Sequence, residues 1–184
     1  ADVKGLSSGF QVKASIDLVS PNGGVTMVYG TPQEIRWTPH GEILKTRVEY
    51  KVDTGSWIEI TPEGGVDGEV VGLDKKWMWD PVDGTISDKI AIRVSDDAEA
   101  NQNVDDESPV TNVIKGQLTL VAPNDPLPAY SIGDNVPIQW TKVGEIGNLK
   151  IQYSALGDFS DVADINPGFP SGADAPTVNT YTLL

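Results

Sequence analysis

Two stretches of the chain say nearly the same thing, and that repetition constrains the fold more than any other feature. "SPNGGVTMVYGTPQEIRWT" occupies residues 20 to 38 and "APNDPLPAYSIGDNVPIQWT" occupies residues 122 to 141. Trp37 falls on Trp140 at a shift of 103 residues, and the same shift places Gly30 on Gly133, Thr38 on Thr141, "GEI" at 41 on "GEI" at 144, and Tyr50 on Tyr153. Pro21-Asn22 meets Pro123-Asn124 at a shift of 102, and Trp77 meets Tyr181 at 104. Small changes of register confined to loops are what a duplicated domain carries. Residues 1 to 22 match 103 to 124 without a gap, and Leu184 corresponds to Asp80. The register therefore predicts residues 1–13 as the last strand of a preceding repeat, 14–116 as one repeat, and 117–184 as a second repeat lacking its final strands. On this reading the sequence is a piece of a longer tandem array.

Each repeat reads as strands. Apolar and polar residues alternate in "SIDLVS" at 15 to 20, "QEIRWT" at 33 to 38, "TRVEYKV" at 46 to 52, "SWIEI" at 56 to 60, "KWMWD" at 76 to 80 and "KIAIRVS" at 89 to 95. Period two places one face of each segment in a core and the other in water. The intervening "PNGG", "DTGS", "PEGG" and "PVDG" supply the backbone freedom and side-chain hydrogen bonds of tight turns. About seven short strands in roughly a hundred residues predict an all-β fold of tandem immunoglobulin-like (fibronectin type III-like) β-sandwich repeats, the second incomplete. Ile35, Trp37, Val48, Tyr50, Trp77, Trp79, Ile90, Ile92 and Val94 are expected to face inward, and Arg36, Arg47, Glu49, Lys51, Lys89 and Arg93 outward.

"IDLVSPNGG", Gly30, "QEIRWT", "RVEY" and "AIRVSD" together resemble the repeat of many large bacterial secreted and surface proteins. They are similar to the domain of fungal cell-wall glucan-synthesis and Ser-Thr-rich GPI-anchored membrane proteins. The sequence departs from that pattern at "VTMVYG", where a Trp and an acidic residue are more usual, and at the Pro-rich "NDPLPAYSIG". The resemblance implies a sandwich fold and a spacer, wall-associated or array role.

Charge narrows the partners. Lys plus Arg number 13 against 27 Asp plus Glu, a net charge of -14. Such a surface repels phosphate backbones and anionic lipid, so neither nucleic acid nor membrane insertion is expected of these residues. There is no Cys, which removes disulfides, thiolate metal sites and cysteine nucleophiles together. His40, the one histidine, lies in "TPHGEI" and its aligned position is Val143, so it reads as an exposed loop residue and no catalytic constellation forms around it.

The acidic segment "SDDAEANQNVDDES" at 95 to 108 is the candidate metal site. Its alternating oxygen-bearing residues resemble the rhythm of a calcium loop, although Gln102 and Ser108 stand where an EF-hand needs Gly and Glu. Asp96, Asp97, Glu99, Asp105, Asp106 and Glu107 are the candidate calcium ligands, and a solvated charged hairpin loop is the competing reading. The functional expectation is a non-catalytic structural module of an extracellular tandem-repeat protein, a prokaryotic surface-layer or adhesin-like component of the cell surface or cell wall. Neighbouring repeats and copies of the same protein are its expected partners, and the short link "VIKGQL" is expected to stiffen it. The alternative is a carbohydrate-binding accessory module of a secreted polysaccharide-degrading enzyme, with Trp57 and Tyr130 meeting glycans.

Overall fold

A computed structural model describes residues 13–98, 104–124, 130, 131, 133–170, 172 and 178–183. All regular structure among them is β. The strands are β1 (Ser15–Ser20), β2 (Thr26–Val28), β3 (Gln33–His40), β4 (Thr46–Val52), β5 (Ile58–Glu59), β6 (Glu69–Val71), β7 (Asp74–Trp79) and β8 (Ser87–Asp96). There follow β9 (Asp105–Glu107), β10 (Asn112–Lys115), β11 (Gln117–Ala122), β12 (Val136–Val143), β13 (Asn148–Tyr153), β14 (Ala163–Pro170) and β15 (Asn179–Leu183). The chain divides into two compact units, one of residues 1–24, 34–79 and 90–111 and the other of 25–33, 80–89 and 112–184.

The first unit is a β-sandwich. One sheet runs β1-β3-β7-β6, and facing it β8, β4 and β5 run in that order with β9 paired to β8. Alternation along the strands sends Ile35 and Trp37 of β3, Val48 and Tyr50 of β4, and Ile90, Ile92 and Val94 of β8 into the space between, where all are buried. The Tyr50 and Trp79 rings meet across the sheets at a centroid distance of 5.4 Å. Trp77, expected inside beside Trp79, is only half-buried. Their spacing of two places both on the same side of β7, but Trp77 lies nearer the middle of a strand whose outer neighbour, β6, is three residues long.

Gly68 explains part of the packing around Trp37. Its φ of +71° is a left-handed conformation, and a Cβ there would lie 2.8 Å from Cζ2 of the Trp37 ring. Only glycine lets the backbone cross the indole so closely.

The second unit holds the parallel pair β2 and β10, the sheet β11-β12-β15 and the hairpin β13-β14. Met27 and Ile114, paired across β2 and β10, are buried. Ile138, Trp140 and Leu149 form a second core, with Ile146, Ile151, Ile165 and Tyr181 packed against it.

The repeated phrase has a repeated geometry. Leu18 pairs with Trp37 and the register slips between Leu18 and Ser20; Leu120 pairs with Trp140 and the register slips between Leu120 and Ala122. Asn22 donates its side-chain N–H to the Leu18 carbonyl at 3.0 Å, and Asn124 donates to the Leu120 carbonyl at 3.5 Å. Gly30 and Gly133 have φ of +80° and +95°, Gly41 and Gly144 +90° and +91°. The Pro-Asn pair closes a bulged strand end, and the glycines turn the chain where a side chain would be strained.

Candidate functional site

The same alternation that fills the sandwich builds an ion-paired outer face. Arg47, Glu49 and Lys51 of β4 point away from the core, as do Arg93 and Ser95 of β8, and Glu49 stands opposite Arg93 in the register. Opposite charges placed across antiparallel strands pair directly. Arg93 Nη2 lies 2.7 Å from Glu49 Oε2, and Arg47 Nη2 lies 2.6 Å from Asp97 Oδ1 with its Nε 3.5 Å from Glu59 Oε1. Lys51 Nζ is 3.5 Å from Glu107 Oε2.

Trp57 joins this network through its ring. Lys51 Nζ lies 4.3 Å and Arg93 Cζ 4.4 Å from the ring centroid, so the π-cloud receives two cations. The side-chain hydrogen bond to Asp97, aided by Glu59 and Glu49, raises the Arg47 pKa above its ordinary value against a smaller effect of burial. Beside these groups lies a cleft of about 180 Å³, lined by Arg47, Glu49, Arg93, Ser95, Asp96, Asp97, Ala98 and Asp105. It presents paired donors and acceptors, which suits a polar, hydroxylated or zwitterionic group better than an apolar one.

The described residues of the acidic segment lie at the end of β8 and in β9, which pair antiparallel, and their carboxylates are dispersed among different partners. Asp96, Asp97 and Asp105 come to the rim of the cleft. Asp96 accepts the Ala98 N–H at 3.0 Å, and Asp97 holds Arg47. Asp106 turns toward the other sheet, where Oδ2 accepts the Leu18 N–H at 2.8 Å and Oδ1 accepts the Glu107 N–H at 2.9 Å. Glu107 reaches toward Lys51, and Glu99 lies outside the described residues. Among the described residues no three His, Asp or Glu side chains gather as metal ligands would.

Three further placements differ from the sequence reading or refine it. His40 is the last residue of β3, opposite Ser15, with Nε2 2.9 Å from Asp17 Oδ2; both side chains are exposed. Glu49, expected in water, is buried because Arg93 closes over it from the neighbouring strand. Trp57 is half-buried, whereas Tyr130 is exposed. The cationic partners of Trp57 were legible only as outward positions, and the signal for their grouping is the matched spacing of charge in "RVEYK" and "IRVS".

No protein-family model matches the sequence, and no curated protein matches it. Among solved structures the chain is similar to one described as "Structures of Clostridium thermocellum CbhA fibronectin(III)-like modules", with a TM-score of 0.31 and 16% identity over 90% of this chain and 77% of that one. The fold assignment stands on the strand order and the buried inner faces.

Proposed function

We propose that the chain is a non-catalytic structural module of a large extracellular tandem-repeat protein, of the prokaryotic surface-layer or adhesin-like kind. The observation that supports this most is the link within the second unit. β10 and β11 are separated by one residue, Gly116, and a Cβ there would meet Ile146 Cγ1 at 2.7 Å and Ile86 Cδ1 at 2.9 Å. "VIKGQL" is therefore strand on both sides of a packed glycine. Gly144, with φ +91°, packs against Ile86 and Tyr29, Tyr29 donates its N–H to the Lys115 carbonyl at 2.8 Å, and Gln117 Nε2 donates to the Tyr29 carbonyl at 3.3 Å. A link without slack transmits force and holds spacing. In this role the repeats 14–116 and 117–184 are consecutive members of a series, and the acidic surface keeps the assembled copies hydrated.

Hydrogen exchange tests this reading. Amides of residues 28–30 and 113–118 should exchange as slowly as those of the core strands; fast exchange there would make the link a flexible tether and remove the basis for a stiff spacer. Thermal unfolding with calcium and with chelator asks whether a cation bound by the 96–107 segment belongs to the device.

The contact of Trp57 with Arg93, a residue that lines the polar cleft, favours one second reading, a carbohydrate-binding accessory module that meets cell-surface glycans through Trp57 and Tyr130. Glycan-array binding lost in Trp57→Ala and Tyr130→Ala would establish it.

A further inference from the structure

The outer faces of the two equivalent sheets differ in charge. In β1-β3-β7 the side turned away from Trp37 carries Asp17, Glu34, Arg36, Asp74 and Lys76, and the last four are joined. Arg36 Nε lies 3.5 Å from Glu34 Oε1 and 3.9 Å from Asp74 Oδ2, Lys76 Nζ lies 3.9 Å from Glu34 Oε2, and the Thr38 hydroxyl donates to Asp74 Oδ1 at 2.6 Å. The repeat register puts Thr119, Pro137, Gln139, Val178 and Thr180 at those five positions, so every charge has an uncharged counterpart. In β11-β12-β15 Thr119 stands opposite Thr141, Gln139 opposite Thr180 and Pro137 opposite Thr182, all on the side away from the buried Ile138 and Trp140. Gln139 Nε2 donates to Thr180 Oγ1 at 3.5 Å where the first unit has ion pairs. Lys142, the cation of β12, is buried with its Nζ 3.0 Å from the Gly144 carbonyl. Among the described residues this face bears no ionisable side chain, on a chain whose net charge is -14.

We propose that the outer face of β11-β12-β15 is a contact between two copies of the chain, met sheet to sheet about a two-fold axis. Depletion of charged residues is what distinguishes the centre of a protein interface from the rest of a surface. Two copies that each carry a net charge of -14 repel, and they approach most readily where neither presents charge. A two-fold contact sets a patch against itself, so its groups must satisfy their own kind. The Thr hydroxyls and the Gln139 amide do so, because each both donates and accepts, whereas a face of carboxylates cannot. Three strands about 4.8 Å apart and some five residues long at about 3.4 Å per residue give a face of roughly 250 Å². That is about a third of the ~800 Å² per partner of a standard interface, so a single contact is weak, with a dissociation constant on the order of 1 mM. Strength comes from repetition, when several such faces are held in one chain. This contact rests on the array reading, which it deepens by naming the face through which copies meet, and it is tested apart from the stiff link, which exchange at 113–118 reads.

Sedimentation equilibrium of the full chain, over concentrations bracketing that constant, should show a reversible monomer–dimer equilibrium that strengthens as salt screens the net charge. Thr119→Asp and Gln139→Glu place charge on the face and should each weaken the dimer by about tenfold. The fold, checked by circular dichroism, should persist, because the first unit holds the charged Asp17 and Arg36 at those positions. Ser56→Asp adds the same charge to an exposed turn of the first unit and should change the dimer by less than about twofold. The chain has no Cys, so Gln139→Cys carries a lone thiol. Mild oxidation at a dimerising concentration should join two copies by a disulfide faster than it joins Arg36→Cys, the equivalent position in the first unit. A monomer at every concentration, a dimer that salt dissociates or that both face variants leave intact, or equal cross-linking of the two thiols would overturn the proposal. So would a monomer whose amides at 139–141 are protected by a soluble neutral glucan, which would make a polysaccharide the occupant.

Discussion

Arg93 and Glu49 face each other across β8 and β4 with Nη2 and Oε2 2.7 Å apart, and the Arg93 guanidinium also lies over Trp57. Glu49 is the more enclosed partner, so its charge depends on Arg93 for compensation. Glu49→Ala leaves that guanidinium without its carboxylate and opens the outer face, and should cost about 2 kcal/mol of stability. Glu49→Gln, which keeps the shape and one acceptor, should cost roughly half of that. Urea midpoints read both. Equal midpoints for all three proteins would show that the outer face is held by the backbone ladder alone.

Gly68 and Gly72 separate backbone strain from steric conflict. Both have positive φ, +71° and +68°, but only at Gly68 would a Cβ meet the Trp37 ring; at Gly72 the space is open. Gly72→Ala should cost about 1–2 kcal/mol from the left-handed conformation alone. Gly68→Ala adds displacement of a fully buried indole and should exceed it by about 1–3 kcal/mol. Near-ultraviolet circular dichroism should change for Gly68→Ala and not for Gly72→Ala.

The sandwich was readable because its signals are local. Period-two alternation located β1 and β4 at their observed bounds and β3, β7 and β8 to within two residues at each end, and the Trp37/Trp140 register predicted which strand positions share a geometry. β2 and β6 were unreadable because three residues carry no period; the match of 1–13 with 103–115 marked a last strand there, but not its division into β9 and β10 or the parallel pairing of β10 with β2, 87 residues earlier. The acidic segment showed its composition but not its partners. Asp97 and Glu107 turn to cations on β4, a consequence of the β4–β8–β9 order that no single strand reveals. The burial of Glu49 has the same origin, since it requires knowing that Arg93 lies opposite.

Trp37 and Trp140 occupy equivalent positions in unequally covered cores, and the same substitution should expose that inequality. Trp37 is wholly buried among residues that are themselves buried, so Trp37→Ala should destabilise the first unit by about 3–5 kcal/mol. Trp140 sits beside Leu118 and Leu120, both half-exposed, where neighbours are free to settle into the vacated volume. Trp140→Ala should cost less than Trp37→Ala, because the penalty grows with the cavity that remains. Site-resolved hydrogen exchange under mild denaturant assigns each loss to its unit. A larger loss at Trp140 would mean that the second core is the tighter of the two.

Asp161 provides a titration with a determined sign. Its carboxylate accepts the Ser154 hydroxyl and the N–H groups of Ala155 and Leu156, closing the turn between β13 and β14. The Ser154 hydrogen bond is the largest cause of its lowered pKa, followed by a smaller opposing effect of burial and then the two amides. A carboxyl group whose pKa is lower folded than unfolded stabilises the fold above its unfolded pKa and loses that contribution as pH falls through the folded value. The turn should therefore be at full strength at neutral pH and weaken in acid, below the ordinary carboxylate range. Asp161→Asn keeps an acceptor but cannot ionise, so its deficit against the natural sequence should be present at pH 7 and shrink toward zero as the pH falls through that range. Amide exchange at 155 and 156, followed across pH and corrected for intrinsic rates, reads the turn directly. A deficit that stayed constant with pH would assign the role of Asp161 to its shape and not to its charge.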